Sequence, residues 1–240
     1  MISPEWWDHA VVAALLAVVP LRGAWEYRRL ASRVSAGVPD ARNRQYRSTM
    51  IMQWGVAACI VILWAASDRP ADLLGFALPG GMQLNAGLTI AVFGLAFLYS
   101  QWRGVRKLDN KGLEPLRKQM NAFAAFLPHT SKEAGLFRWL SVTAGICEEI
   151  VYRGYLIWYL AAFVGEWPAA VIAGAAFGVF HLYQGLTGVL KTGAVGLLMG
   201  LLYVGTGSLV WPMILHSAID LQGGAVARHV LTSSELNPDS

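Results

Sequence analysis

Glu148, Glu149, Arg153, His181, His216 and Asp220 are ionisable side chains that fall inside otherwise apolar stretches of the chain. On insertion scales each charged residue at bilayer depth costs about 2.5–3.5 kcal/mol, so Glu148, Glu149 and Arg153 together cost roughly 8–10 kcal/mol. A chain sustains such a load only where the charges pair inside a bundle and serve a purpose. Glu149 and Arg153, four apart, share a helix face and can pair. Glu148 points about 100° away from them and has no partner on its own helix. His216 and Asp220 are also four apart, on one face of a later segment. A buried glutamate near a histidine can take a proton from water and so promote attack on an amide. A second histidine, with a carboxylate one turn away, can donate hydrogen bonds to the developing oxyanion. The same set of Glu148, His181 and His216, with Asp220, would equally ligate zinc and leave one position open to water. Residue types alone leave both mechanisms open.

Taken singly, each residue has a plainer reading. A lone histidine in a spanning helix is more often hydrogen-bonded core than catalyst, and Glu149 with Arg153 reads first as a structural pair. One Glu, two His and one Asp on three separate segments are too costly to be incidental. His9, His129 and His229 lie at span ends or in loops and receive no role. The sequence has no HExxH, no GxSxG and no Gly-rich phosphate loop.

The segments that must position these groups are membrane-spanning. Of 240 residues, 55% are hydrophobic and only 14% charged, against about 25% charged in a soluble domain. The predicted architecture is all-α: a polytopic helical bundle of seven transmembrane helices, or eight if the long fourth segment breaks, plus an interfacial amphipathic helix. Spans are expected at about 6–21, 50–66, 84–102, 136–164, 169–183, 190–204 and 209–225. The fourth stretch is longer than a bilayer core of about 30 Å requires, so it tilts or breaks near Gly154. Between spans one and two, Arg22 to Arg47 holds seven arginines. Between spans three and four, Leu113, Leu116, Met120, Phe123 and Leu127 recur at helical spacing beside basic residues, as in a helix lying on a membrane surface. Thr130-Ser-Lys-Glu133 reads as a capping box, and Pro168 suits the first turn of the helix after Gly165.

The two arginine-rich segments predict cytoplasmic loops and the Ser67–Gly81 loop an external one, which places the N-terminus outside. The acidic, aromatic residues Met1–His9 lack a basic n-region and read as retained. Cys59 and Cys147 lie in apolar runs without CxxC spacing and read as packing residues. The basic excess points to lipid headgroups and gives no reason to invoke nucleic acid.

Glu148-Glu149-x-x-x-Arg153, then Phe177-x-x-x-His181, then His216-x-x-x-Asp220 resemble, in order and spacing, the three motifs of the CPBP intramembrane protease family. That family includes CAAX prenyl endopeptidases and bacterial Abi homologues. The resemblance covers about Leu136 to Gly224 and divides the chain into N-terminal spans and basic loops (1–130), a catalytic core (131–227) and a polar tail (228–240). It implies an endopeptidase in a bacterial plasma membrane, acting on a protein or peptide substrate that is membrane-anchored or lipidated. Glu148 would activate water with His181 helping to position it, His216 and Asp220 would stabilise the oxyanion, and Glu149 with Arg153 would brace the site. The family commonly has Asn where this chain has Asp220. An ionised Asp cannot donate a hydrogen bond, so Asp220 is protonated, orients His216 or binds metal. A metal-free mechanism without cofactor is expected, with zinc as the alternative. Rival functions for the same residues are a proton- or ion-coupled transporter and a non-catalytic immunity partner.

Overall fold

The computed structural model describes residues 2–121 and 123–233. Among these the chain is helical and contains no strand. Helices α1 (Trp6–Ser35), α2 (Ala41–Ala66) and α3 (Gly81–Val105) are followed by the short α4 (Asn110–Asn121). Helix α5 (Ser131–Glu149) passes through a π-helical segment (Ile150–Leu156) into α6 (Ile157–Val164). Helices α7 (Glu166–Phe180), α8 (Gly185–Thr206) and α9 (Val210–Thr232) complete the described chain.

Several boundaries differ from those expected. The segment 22–47 is not a loop: α1 continues to Ser35 and α2 begins at Ala41. Arginine is a good helix former, and Arg22 pairs with Glu26 at 2.8 Å one turn on. The chain turns only where Gly37 and Asp40 take left-handed backbone angles, φ 66° and 54°. The long fourth segment neither breaks nor runs as regular helix, because it widens into π geometry through Gly154. Such π segments are rare and cluster at functional sites. The fifth expected span ends early, at Phe180, so His181 caps α7 instead of lying within it. The expected loop from Tyr183 to Lys191 is also short, since α8 starts at Gly185. The tail from Arg228 is helical as far as Thr232; its remaining part, 234–240, lies outside the described residues.

Other expectations hold. Thr130 and Glu133 form the capping box: the Glu133 N–H donates to Thr130 Oγ1 at 3.2 Å and the Thr130 N–H to Glu133 Oε2 at 2.9 Å. The amphipathic stripe is present on α4, but its partner is the end of α9. Leu113 packs with Val226 and Val230, and Leu116 and Met120 lie against them. Phe123 and Leu127 fall beyond α4, flanking a 3₁₀ turn at Ala124–Phe126. Cys147 is buried, as a packing residue is, whereas Cys59 of α2 is exposed.

Among the described residues four helices are long and apolar enough to cross a membrane: Trp6–Ser35, Ala41–Ala66, Gly81–Val105 and Leu182–Thr206. They expose large apolar side chains such as Ile51, Phe93 and Leu190, as a lipid-facing surface does. The helices that carry Glu148, Glu149, His216 and Asp220, and α7, which His181 caps, are not among the four. Helix α7 is apolar but 15 residues long, and α5 and α9 are diluted by those same polar groups.

Two devices set how these helices meet. Near the start of α1 Arg69 is buried between the rings of Trp7 and Trp158, at 4.5 and 4.6 Å. It donates to both oxygens of Asp8 at 3.0 and 2.7 Å, and Tyr155 of the π segment donates to Asp8 at 2.8 Å. This clamp ties the start of α1 to the π segment. It also neutralises the one basic residue of the 67–81 loop. Around the polar core, small residues allow backbones to touch, as in many membrane bundles. A Cβ on Gly178 of α7 would lie 2.6 Å from the Val189 carbonyl oxygen of α8, and one on Gly145 of α5 would lie 2.7 Å from the Ser217 nitrogen of α9.

Gly145→Ala is therefore expected to lower stability by about 1–3 kcal/mol through forced separation of α5 and α9. Gly135→Ala, on the same helix with no atom within 4 Å, should be neutral or stabilising. Thermal unfolding of both variants in detergent micelles checks the contrast.

Candidate active site

The close approach of α5 and α9 brings Glu149 against His216. Glu149 is fully buried, and its Oε1 accepts from Arg153 Nη1 at 2.9 Å and from His216 Nδ1 at 2.7 Å. A carboxylate only accepts, so Nδ1 carries the proton and Nε2 faces away from Glu149. Arg153 is satisfied on its other edge by the Gly196 carbonyl of α8 at 3.1 Å, and its guanidinium lies 4.6 Å from the Phe177 ring centroid. The i,i+4 pair read from sequence is thus present and reaches three further helices. Removing one partner of a buried pair leaves an uncompensated charge, which is why such pairs are held from both sides.

Nε2 of His216 points to the second acid. It lies 3.9 Å from Glu148 Oε2 and 3.7 Å from Asp220 Oδ2. Both separations exceed a direct hydrogen bond and leave space for a bridging water. The other oxygen of Glu148 accepts from Gln53 Nε2 on α2 at 2.7 Å. The partner that Glu148 lacks on its own helix is therefore an amide from the second helix. His181, at the end of α7, donates from Nδ1 to the Phe177 carbonyl at 2.8 Å, which leaves its Nε2 free of that bond. The Phe177 ring stands beside both imidazoles, with centroids 4.7 Å from His181 and 5.7 Å from His216.

Glu148, His181, His216 and Asp220 all line one cavity of about 580 Å³. Its apolar wall includes Phe126, Phe137 and Phe177. At one end Lys191 of α8 donates to Gln119 of α4 at 2.8 Å, so α4 borders the cavity on the side of the basic segment. The four sequence-predicted residues of three separate motifs are thereby brought together, and Glu149 with Arg153 stands behind them. Among the described residues, no group of three or more His, Cys, Asp or Glu side chains is arranged to hold a metal ion.

Gln53 is a contact of Glu148 that the sequence motifs omit. An amide in the apolar run Met50-Ile-Met-Gln-Trp54 is itself a signal, since a polar side chain at membrane depth seeks a partner on another helix.

Residues 130–222 match the family described as type II CAAX prenyl endopeptidase, Rce1-like. Over that segment the chain is similar to Rce1-like proteins. The match coincides with the stretch singled out by the three motifs and contains all six of their ionisable residues; Gln53 lies outside it. Neither a curated protein nor a solved structure matches the chain. The match spans less than half of the chain, and the long apolar helices outside it fit a membrane protein.

Arg153→Ala should destabilise the protein by about 3–5 kcal/mol by stranding Glu149. Arg22→Ala, which breaks an exposed pair, should change stability by less than about 1 kcal/mol. Denaturation midpoints in micelles measure the difference.

Proposed function

We propose that the protein is an intramembrane endopeptidase in which Glu148 activates the attacking water. The observation that carries this reading is the convergence of one acid and two imidazoles, from three helices, on a single cavity of about 580 Å³. Glu148 takes a proton from water as the hydroxide oxygen bonds to the scissile carbonyl carbon. His181 presents Nε2 to the same water. The oxyanion then accepts hydrogen bonds from the cavity wall. His216, with Nδ1 held by Glu149, donates from Nε2 in its doubly protonated form, and Asp220 balances and orients that ring. Collapse breaks the C–N bond, and the proton on Glu148 passes to the leaving amine. Asp220 acts through His216, because an ionised carboxylate cannot donate to an oxyanion. Glu149 and Arg153 hold His216 in place.

The topology that goes with this chemistry has seven spans: α1, α2, α3, the continuous α5–α6, α7, α8 and α9. The N-terminus is outside and the arginine-rich segments are cytoplasmic, in a bacterial plasma membrane. The cavity then opens beside α4 toward the cytoplasmic face. Its apolar wall suits a substrate whose scissile bond lies near a membrane-anchored or lipidated C-terminus, and the family matched over 130–222 is described as a CAAX prenyl endopeptidase. The mechanism requires no metal.

Glu148→Gln and His216→Ala are expected to lower cleavage by about 10²–10⁴-fold while remaining folded and inserted. The assay uses quenched C-terminal peptides, farnesylated and unmodified, in proteoliposomes, together with mass-spectrometric comparison of membrane-protein termini in cells carrying parent or variant. Parent-like processing by Glu148→Gln refutes the reading. Treatment with 1,10-phenanthroline should leave activity unchanged, whereas loss restored by zinc would place Glu148, His181 and His216 as metal ligands instead.

A further inference from the structure

Gln53 belongs to a part of the chain that the family match does not reach, yet its amide is hydrogen-bonded to an acid that lines the cavity. A carboxylate cannot donate, so the amide nitrogen must face Glu148 and the amide oxygen must face elsewhere. That oxygen, Gln53 Oε1, is buried and has no hydrogen-bond partner. A buried carbonyl without a donor loses the full desolvation cost of the group, so it ordinarily has a partner, water included. Gln53 and Glu148 also form the shared wall of two spaces. One is the main cavity of about 580 Å³, and the other is a crevice of about 70 Å³ bounded by Leu15 and Val19 of α1 and by Tyr152. The smaller space holds about two waters.

We infer that Gln53 is the third member of the water-activating group, fixing Glu148 through its N–H and accepting a hydrogen of the nucleophilic water at its orphaned oxygen. The inference rests on the role proposed for Glu148. With one hydrogen of the water bonded to Gln53, the other is directed at the carboxylate, and a lone pair is left for the scissile carbonyl. The Gln53–Glu148 wall also places the water where the small crevice can resupply it from the side of α1 and α2. In this arrangement α2 is part of the active site, and the region 130–222 alone lacks one of its polar groups.

The test compares Gln53→Leu, which keeps the volume and removes both hydrogen bonds, with Gln53→Asn, which keeps the amide on a shorter stem. Gln53→Leu should lower kcat on the quenched peptide by about 10–100-fold with KM unchanged, and Gln53→Asn should recover part of the loss. A raised KM with unchanged kcat, or equal rates for the two variants, overturns the inference. A substrate-free measurement stands beside the kinetics. The Glu148 carboxyl band, isolated as the infrared difference between parent and Glu148→Gln, should move in Gln53→Leu as the carboxylate loses a donor. A band at the parent position overturns the inference whatever the kinetics. Failure of the base reading is seen separately, as cleavage by Glu148→Gln; a dead Glu148→Gln beside a parent-like Gln53→Leu refutes Gln53 alone.

Discussion

A carboxylate with no exposure to solvent, held at 2.9 Å by an arginine on one side and at 2.7 Å by a histidine on the other, is the interaction that the rest of this bundle accommodates. Glu149 cannot be stable in an apolar interior alone, and neither can Arg153. Each therefore has to find partners on several helices at once. Arg153 reaches α8 through the Gly196 carbonyl and α7 through the Phe177 ring, while Glu149 reaches α9 through His216. The energetic need of one ion pair thus gathers four helices and fixes the orientation of the imidazole that faces the cavity.

Meeting that need requires backbones in near contact, which bulky side chains would prevent. Gly145 lets α5 approach Ser217 on α9, and Gly178 lets α7 approach α8 at Val189. The π segment adds a local change of helical pitch between Glu149, the last residue of α5, and Arg153, within the segment, while keeping them paired. Asp8, Arg69 and Tyr155 anchor the same segment to the start of α1. The polar residues of the site are arranged on a frame that is held by ion pairs and hydrogen bonds of its own.

Much of this was legible in the sequence, for identifiable reasons. Charged residues in apolar runs are rare enough that Glu148, His181, His216 and Asp220 stood out, and i,i+4 spacing identified the Glu149–Arg153 pair. The capping box at Thr130 was readable because it depends on local chemistry alone. Boundaries were less readable: arginine-rich stretches look like loops by hydropathy although arginine favours helix, so α1 and α2 extend well past the apolar residues. The early end of α7 at Phe180 carried no proline to announce it, and π geometry has no sequence signature comparable to a glycine or proline break. Gln53 was missed because it lies almost a hundred residues from Glu148; only tertiary structure relates them.

Three helices surround one cavity with an acid and two imidazoles. An experimental structure in lipid nanodiscs tests it most directly. The account predicts His216 Nδ1 within hydrogen-bond distance of Glu149, with Glu148 and both imidazole Nε2 atoms facing the same water-filled cavity. His181 turned to lipid, or apolar side chains closing the space between Glu148 and His216, would contradict it.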